Sequence, residues 1–321
     1  MKAILVHEFG APEVQKYSDV AKPAPAAGQI LVKVHAAGVN PADTYMRAGT
    51  YAIKPALPYT PGFEGAGVVE AVGEGVKKVK AGDRVYLAKS ITGTYAEYAL
   101  ALESQVFALP EKISYAQGAA VFVAYVTAFH ALFHEAKARG GETVLIHGAS
   151  GGVGVAAVQI ARAAGLTVFG TAGSAKGLEL VRQEGAHQTF DHSKAGYQEE
   201  ISKATGGRGV DVILEMLANV NFAADLKLLA LYGRVVVIGS RGDISITPRD
   251  FMARRSTAHG FTLWALTEPE LATAHAAIHA GLENGTLRPV VGTEYPLQDA
   301  AKAHTDVMKH SGAAGKIVLV P

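Results

Sequence analysis

Not one cysteine occurs among the 321 residues. Disulfides are therefore excluded, as is every zinc site built on thiolates. Net charge is equally scarce: 30 Lys and Arg against 29 Asp and Glu leave a formal +1. Chains whose main partner is nucleic acid usually carry a basic surplus, because affinity comes largely from displacing counterions on phosphates. None is visible, and the local set Arg249, Arg254 and Arg255 reads as a solvated face. Long apolar runs are missing too. The longest, Ala119 to Phe133, is interrupted by Tyr125, Thr127 and His130 and falls short of the roughly 20 apolar residues that cross a bilayer. The opening Met1 to Val6 meets His7 and Glu8 too early for a signal peptide. The expectation is a cytoplasmic protein with no membrane association, for which nucleic acid is not the main partner. Internal repeats and low-complexity segments are absent as well.

What is present is a globular composition, 49% hydrophobic and 18% charged, on a chain longer than one core usually organises. Two domains are expected. The first part carries short candidate strands at 30–34, 67–72 and 84–87, separated by turn signals at Ala27-Gly28, Gly73-Glu74-Gly75 and Ala81-Gly82-Asp83. That spacing suggests a β-barrel or sandwich. Residues 114–136 have helical spacing, and strands then alternate with helices: 143–146, helix 153–164, 166–169, helix 177–184, 212–214 and 235–238. Such alternation argues for a parallel sheet covered on both faces. After a helix at 269–283, the run 316–320 reads as a strand with no following helix, returning to the first domain.

The sharpest local signal is Ile146-His147-Gly148-Ala149-Ser150-Gly151-Gly152-Val153-Gly154, which leaves a strand and opens a helix. This is the setting of a dinucleotide fingerprint. Gly151 lets backbone approach a pyrophosphate, Gly154 lets the helix pack closely on the sheet, and the helix N-terminus offers N–H groups to phosphate. Ala149 replaces the usual first glycine. NAD enzymes place an acid about 20 residues beyond this turn to hold the ribose 2′-hydroxyl. Here the second strand ends in Gly170-Thr171-Ala172-Gly173-Ser174-Ala175-Lys176, and no acid precedes Glu179. A 2′-phosphate meets no repulsion there, while Ser174 and Lys176 can donate to it, so NADPH is the expected cofactor.

With these residues in view the chain resembles the zeta-crystallin-type quinone oxidoreductases of the medium-chain dehydrogenase/reductase superfamily, nearly end to end. The resemblance is carried by Gly38 to Tyr45, Tyr59-Thr60-Pro61-Gly62, His147 to Gly154, Glu215 to Asn221, Gly239 to Gly242 and Pro248-Arg249-Asp250. It implies an α/β fold: a GroES-like β-barrel catalytic domain plus a Rossmann domain with a doubly wound parallel sheet. The expected boundaries are 1–123 with 266–321 for the first and 124–265 for the second. It further implies NADPH as donor, quinones as acceptors, no metal, and a homodimer or homotetramer. By position, Tyr45, Thr127, Ser150, Gly151, Gly152, Val153, Gly173, His192 and Asn221 would contact the cofactor. Ile238, Gly239, Ser240, Arg241, Phe261, Thr262, Leu263 and Lys316 would line it further.

Zinc alcohol dehydrogenases of that superfamily carry a ligand histidine in Gly-His-Glu, whereas this chain reads Gly62-Phe63-Glu64. Two pairs spaced i, i+4, His130 with His134 and His275 with His279, could each share a helical face. Neither has a third ligand nearby in sequence, so helical packing is the expectation and no metal site is assigned. Without a Lewis acid the acceptor must take hydride readily, as a quinone does in becoming an aromatic hydroquinone. Asn40, Asp43, Tyr45, Tyr51 and Tyr59 form the candidate polar lining. Tyr45 or Tyr51 is placed to donate to the acceptor oxygen, Asp43 to orient its neighbours. An amphipathic wall explains each tyrosine equally well. Two other readings stay open: a reductase of enone or 2-alkenal double bonds, and an NADPH- or RNA-binding zeta-crystallin-like protein with little catalysis.

Overall fold

The computed structural model describes residues 1–309 and 314–321. Two units separate within it, 1–123 with 288–309 and 315–321, and 124–287. In the first, β1 (Lys2–Val6) and β2 (Gln15–Asp19) form an antiparallel pair. The long β3 (Gln29–Val39) precedes α1 (Pro41–Arg47), followed by β4 (Glu64–Val72), β5 (Arg84–Ala88), β6 (Tyr98–Leu102), β7 (Val106–Ala108) and the short α2 (Tyr115–Gly118). β3 pairs antiparallel with β4 and β6, and its register to β4 shifts at Leu31/Val32 and again at Val34/Ala36. Such irregularities bend a strand, which lets one strand serve several neighbours around a core of Ile30, Val32, Val34, Val69, Val85 and Leu87. Pro41 at the first helical position and Asn40 before it start α1.

The second unit opens with a helix in which widened π turns at Phe122–Val126 and Ala131–Glu135 flank one regular stretch, α3 (Thr127–His130). Strands and helices then alternate: β8 (Thr143–Ile146), α4 (Gly152–Ala163), β9 (Thr167–Ala172), α5 (Ala175–Gln183), β10 (Gln188–Asp191), α6 (Tyr197–Ala204), β11 (Val210–Glu215), α7 (Ala218–Leu228), β12 (Leu229–Val237), α8 (Pro248–Arg254) and β13 (Thr257–Gly260). All six strands are parallel, in the order β10-β9-β8-β11-β12-β13. This is the doubly wound order, with β8 and β11 at the point where the winding reverses. Every residue of β8 is buried, as a central strand covered on both faces requires.

The chain continues through α9 (Glu268–Asn284) before β14 (Val291–Pro296), α10 (Ala300–Asp306) and β15 (Lys316–Val320) rejoin the first sheet, β15 beside β3. The sequence reading placed the crossing at 266, whereas α9 belongs to the second unit and the crossing falls at 287/288. Contact decides it: Glu270 of α9 reaches the imidazoles of His130 and His134. No helix among the described residues is long and apolar enough to cross a membrane.

Candidate active site

The glycine-rich turn sits between β8 and α4, at the C-terminal end of a central strand, where ligands of open α/β sheets bind. Gly148 takes φ +57°, which supplies the tight turn. Ala149 is fully buried, and its methyl lies beside Gly170 of β9, where an added Cβ would come within 2.9 Å of it. The methyl that breaks the fingerprint is thus accommodated by a glycine on the next strand. A Cβ at Gly154 would meet Gly148 O at 2.4 Å and Ala149 Cα at 2.5 Å. Gly154 therefore packs against the turn itself, a closer contact than the helix-on-sheet role expected of it. No side chain caps the N-terminus of α4, whose N-cap is Gly151. The N–H groups of its first turn and its dipole are left for an anion.

Around this turn the other expected cofactor residues fall as follows. Ser150 and Thr127 are buried. Gly173 follows β9, and a Cβ on it would lie 2.7 Å from His192 Nε2. Ser174 caps α5, its Oγ accepting from Gly177 N at 3.1 Å, and Lys176 stands exposed in that helix's first turn. Asn221 donates to Glu215 Oε1 at 3.2 Å. Ile238 and Gly239 both donate their N–H to Glu215 O, at 2.8 and 3.3 Å. Ser240 Oγ donates to Gly242 O at 2.9 Å, and Arg241 N donates to Asn219 Oδ1 at 2.8 Å. The Phe261 ring lies tilted against that of His130, 4.7 Å between centroids, Thr262 is exposed and Leu263 is buried. Lys316 lies in the first unit, with its ammonium 2.5 Å from both Asn40 Oδ1 and Glu64 Oε1.

Beneath the turn lies a polar cluster that the sequence reading did not separate from the motif. His147 Nε2 stands 2.9 Å from Asp225 Oδ1 and 3.7 Å from Glu215 Oε2, all three buried. Burial pushes both carboxyls up, Glu215 to about 8 and Asp225 to about 7. The Thr171 hydroxyl accepts from Gly148 N at 3.2 Å and lies 3.4 Å from His147 Nδ1 and 3.2 Å from His192 Nδ1. The cluster thereby fixes the turn's backbone and, through Glu215, the amide of Asn221. Glycines with no room for a side chain, an uncapped helix end and an absent carboxylate after β9 together fit a phosphorylated dinucleotide.

In the first unit, Asn40 N donates to Asp43 Oδ2 at 2.8 Å, one arm of a capping box for α1. The Asn40 amide donates to Glu64 Oε1 at 3.0 Å, and Glu64 Oε2 accepts from Val123 N at 2.8 Å. Gly38 makes room for this carboxylate, since a Cβ there would lie 2.7 Å from Glu64 Oε1. Asp43 is also buried, and Tyr95 Oη stands 3.4 Å from its Oδ2, with His304 Nε2 a further 3.1 Å from that hydroxyl. Asp43 Oδ1, Arg47 Nε and Nη1, Tyr59 Oη and His304 Nδ1 are buried without a protein partner. Burial pushes Asp43 up to about 7, against the opposing pull of the Asn40 amide and the Lys316 charge. It pushes Tyr59 up to about 12 and His304 down to about 3.

A pocket of about 510 Å³ in this unit is lined by Asp43, Met46, Tyr59, Phe63, Ile91 and neighbouring residues. Of the five expected lining residues it takes Asp43 and Tyr59. Asn40 is held behind it by Glu64 and Lys316, while Tyr45 and Tyr51 stack on each other at 6.5 Å. Glu64, Arg47, Tyr95 and His304 were missed. Glu64 was legible beside Phe63 in Gly62-Phe63-Glu64, but that segment was read only for the histidine it lacks.

The two histidine pairs differ from each other. His275 is buried and pushed down to about 4 by that burial, while His279 Nε2 lies 3.3 Å from Glu283 Oε1. His130 and His134, for which no third ligand was found nearby in sequence, have the carboxylate of Glu270 close to both. Sequence distance had concealed it.

A doubly wound sheet with a glycine turn after its first strand in one unit, and an antiparallel-dominated barrel-like sheet in the other, are the marks of a nucleotide-dependent dehydrogenase or reductase. Residues 26–111 match the alcohol dehydrogenase GroES-like domain family, and residues 152–279 match the family described as zinc-binding dehydrogenase. The quinone oxidoreductases of Rattus norvegicus and Homo sapiens are each 53% identical over 321 residues, spanning 100% of this chain and 98% of theirs. The crystal structure of Escherichia coli quinone oxidoreductase complexed with NADPH is 30% identical with a TM-score of 0.91, covering 100% of both chains. The chain belongs to the zeta-crystallin-type quinone oxidoreductases of the medium-chain dehydrogenase/reductase superfamily.

Proposed function

We propose that the chain is an NADPH-dependent reductase of quinones that works without a metal. The observation that carries this reading is the uncapped N-terminus of α4 over a glycine turn, with no carboxylate at the end of the neighbouring strand. The names of the full-length relatives support the quinone as acceptor.

NADPH supplies hydride when bound, and the protein supplies position and charge. The backbone N–H groups of Gly152 and Val153 and the α4 dipole would hold the diphosphate. Ser174 and Lys176 would receive the 2′-phosphate. The cluster of His147, Glu215 and Asp225 keeps the turn and Asn221 in place. In the first unit, the pocket at Tyr59 and Phe63 orients a planar apolar acceptor, and the Tyr59 hydroxyl donates to its oxygen. With its acidity pushed to about 12 by burial, Tyr59 stays protonated and acts as a hydrogen-bond donor. Tyr45 and Tyr51 stack on each other outside that pocket, and Asn40 and Asp43 brace α1. Phe63 offers no metal ligand, and an acceptor that becomes aromatic on reduction needs none. We also propose a homodimer or homotetramer, as the family resemblance implies, to be checked by light scattering.

The test is initial-rate NADPH oxidation with 1,4-benzoquinone, 9,10-phenanthrenequinone and an enone, with NADH and EDTA controls. EDTA-insensitive quinone reduction that prefers NADPH is expected. Turnover of the enone alone would replace the substrate class, and NADPH binding without turnover would favour a binding protein. Tyr59→Phe should lower kcat/KM for quinone about tenfold, the size of one lost hydrogen bond, with NADPH affinity unchanged.

A further inference from the structure

We propose that His130, His134 and Glu270 form a binding site for a divalent transition cation of the zinc type in the second unit. One ligand atom from each lies within 4.8 Å of the others, a span that a single ion can bridge. The two imidazoles stack at 4.7 Å between centroids with only 7° between their planes. They straddle the passage from α3 into the π turn at Ala131–Glu135, and π turns of this kind recur at functional sites.

The third donor arrives oriented. Glu270 is the third residue of α9, where its Oε2 accepts from Thr267 N at 2.8 Å and Thr267 Oγ1 at 2.7 Å. That capping box fixes the carboxylate and leaves Oε1 to turn toward the histidines. Glu135 adds a further carboxylate at the edge of the group, 3.2 Å from His130 Nε2 and 3.8 Å from His259 Nδ1. Partners of that kind commonly steer ligand imidazoles.

Two imidazoles and one carboxylate are donors that zinc takes up, with water commonly completing the set. His134 and Glu270 are partly exposed, which gives an ion a route in. The site shares no residue with the pyrophosphate turn and stands independently of the reductase reading. Its ligands come from α9 and from the helix that runs from α3 into the second π turn, so an ion would pin those two helices together. The Phe261 ring, 4.7 Å from that of His130, would feel its presence.

The test is calorimetric titration of the full, chelator-stripped chain with Zn²⁺, repeated with Co²⁺ followed by visible absorption. One equivalent is expected to bind with at least micromolar affinity, giving ligand-field bands with Co²⁺ and a rise in Tm with Zn²⁺. His134→Ala and Glu270→Gln should each weaken binding at least about tenfold and abolish the Tm rise. His279→Ala, at the other histidine–carboxylate pair, should leave the isotherm unchanged. Circular dichroism and Tm without metal establish that each variant is folded. No binding, or binding equally strong in His134→Ala and Glu270→Gln, would overturn the site. So would loss of binding in His279→Ala.

Discussion

Glu64 and Asp43 are both buried carboxylates of the first unit, joined through Asn40, yet they are treated oppositely. Glu64 receives an ammonium, an amide and a backbone N–H from Lys316, Asn40 and Val123. Asp43 receives one good hydrogen bond, from Asn40 N, and one long one from Tyr95, while its Oδ1 receives none within the protein. Compensation makes Glu64 a brace that joins three segments of chain. Its lack leaves Asp43 poised between charge states, beside the pocket that also holds Tyr59. The same contrast separates structural ion pairs from groups available to chemistry in general.

The largest expected effect comes from removing the compensation. Lys316→Ala strands the Glu64 charge in the interior and should cost about 3–5 kcal/mol of unfolding free energy, read from urea denaturation. The double variant Lys316→Met with Glu64→Gln should recover much of the loss. If Lys316→Ala instead leaves stability intact and weakens only NADPH binding, the residue belongs to the cofactor site, as the family resemblance implied, and the contrast fails.

Next comes the pH dependence of Asp43. Its acidity is shifted from the ordinary 3.8 to about 7, so between those values the folded chain holds a proton that the unfolded chain releases. This contribution to stability is complete below 3.8, is lost as pH rises through about 7, and stays lost above. Asp43→Asn cannot ionise. Its stability relative to the parent should therefore rise between about pH 4 and 7 and level off beyond, by an amount on the order of a few kcal/mol. A difference that does not vary with pH would mean that Asp43 is as well compensated as Glu64.

Much of this architecture could be read from spacing, but its long-range pairings could not. The strands expected at 143–146, 166–169, 212–214 and 235–238 became β8, β9, β11 and β12, because period-2 and period-3.6 patterns are local, whereas β10, β13 and the first half of β12 were not read. The stretch 114–136 read as one helix, whereas it contains α2, α3 and two π turns. An almost wholly apolar segment gives the periodicity nothing to distinguish those turns by. The Rossmann turn was legible because its chemistry is contiguous. Lys316 with Glu64, and Glu270 with His130, were not, since each pair is joined only by topology.

The smallest expected effect sharpens the Asp43 side alone. Tyr95 Oη links Asp43 to His304, and His304 is held neutral, its acidity pushed down to about 3 by burial and by the Arg47 charge. A neutral ring donating from Nε2 to Tyr95, which in turn donates to Asp43, leaves His304 Nδ1 as a lone pair without a partner, as observed. Tyr95→Phe removes both bonds and keeps the edge-on ring contact with His304, 5.6 Å between centroids. A loss of about 1–2 kcal/mol is expected, since one neutral donor and one weak acceptor lose their partner. The bond to Asp43 is long at 3.4 Å, so the pH at which Asp43 titrates should move only slightly. A larger loss, or a titration midpoint carried back toward 3.8, would show that the tyrosine, rather than burial, sets the state of Asp43.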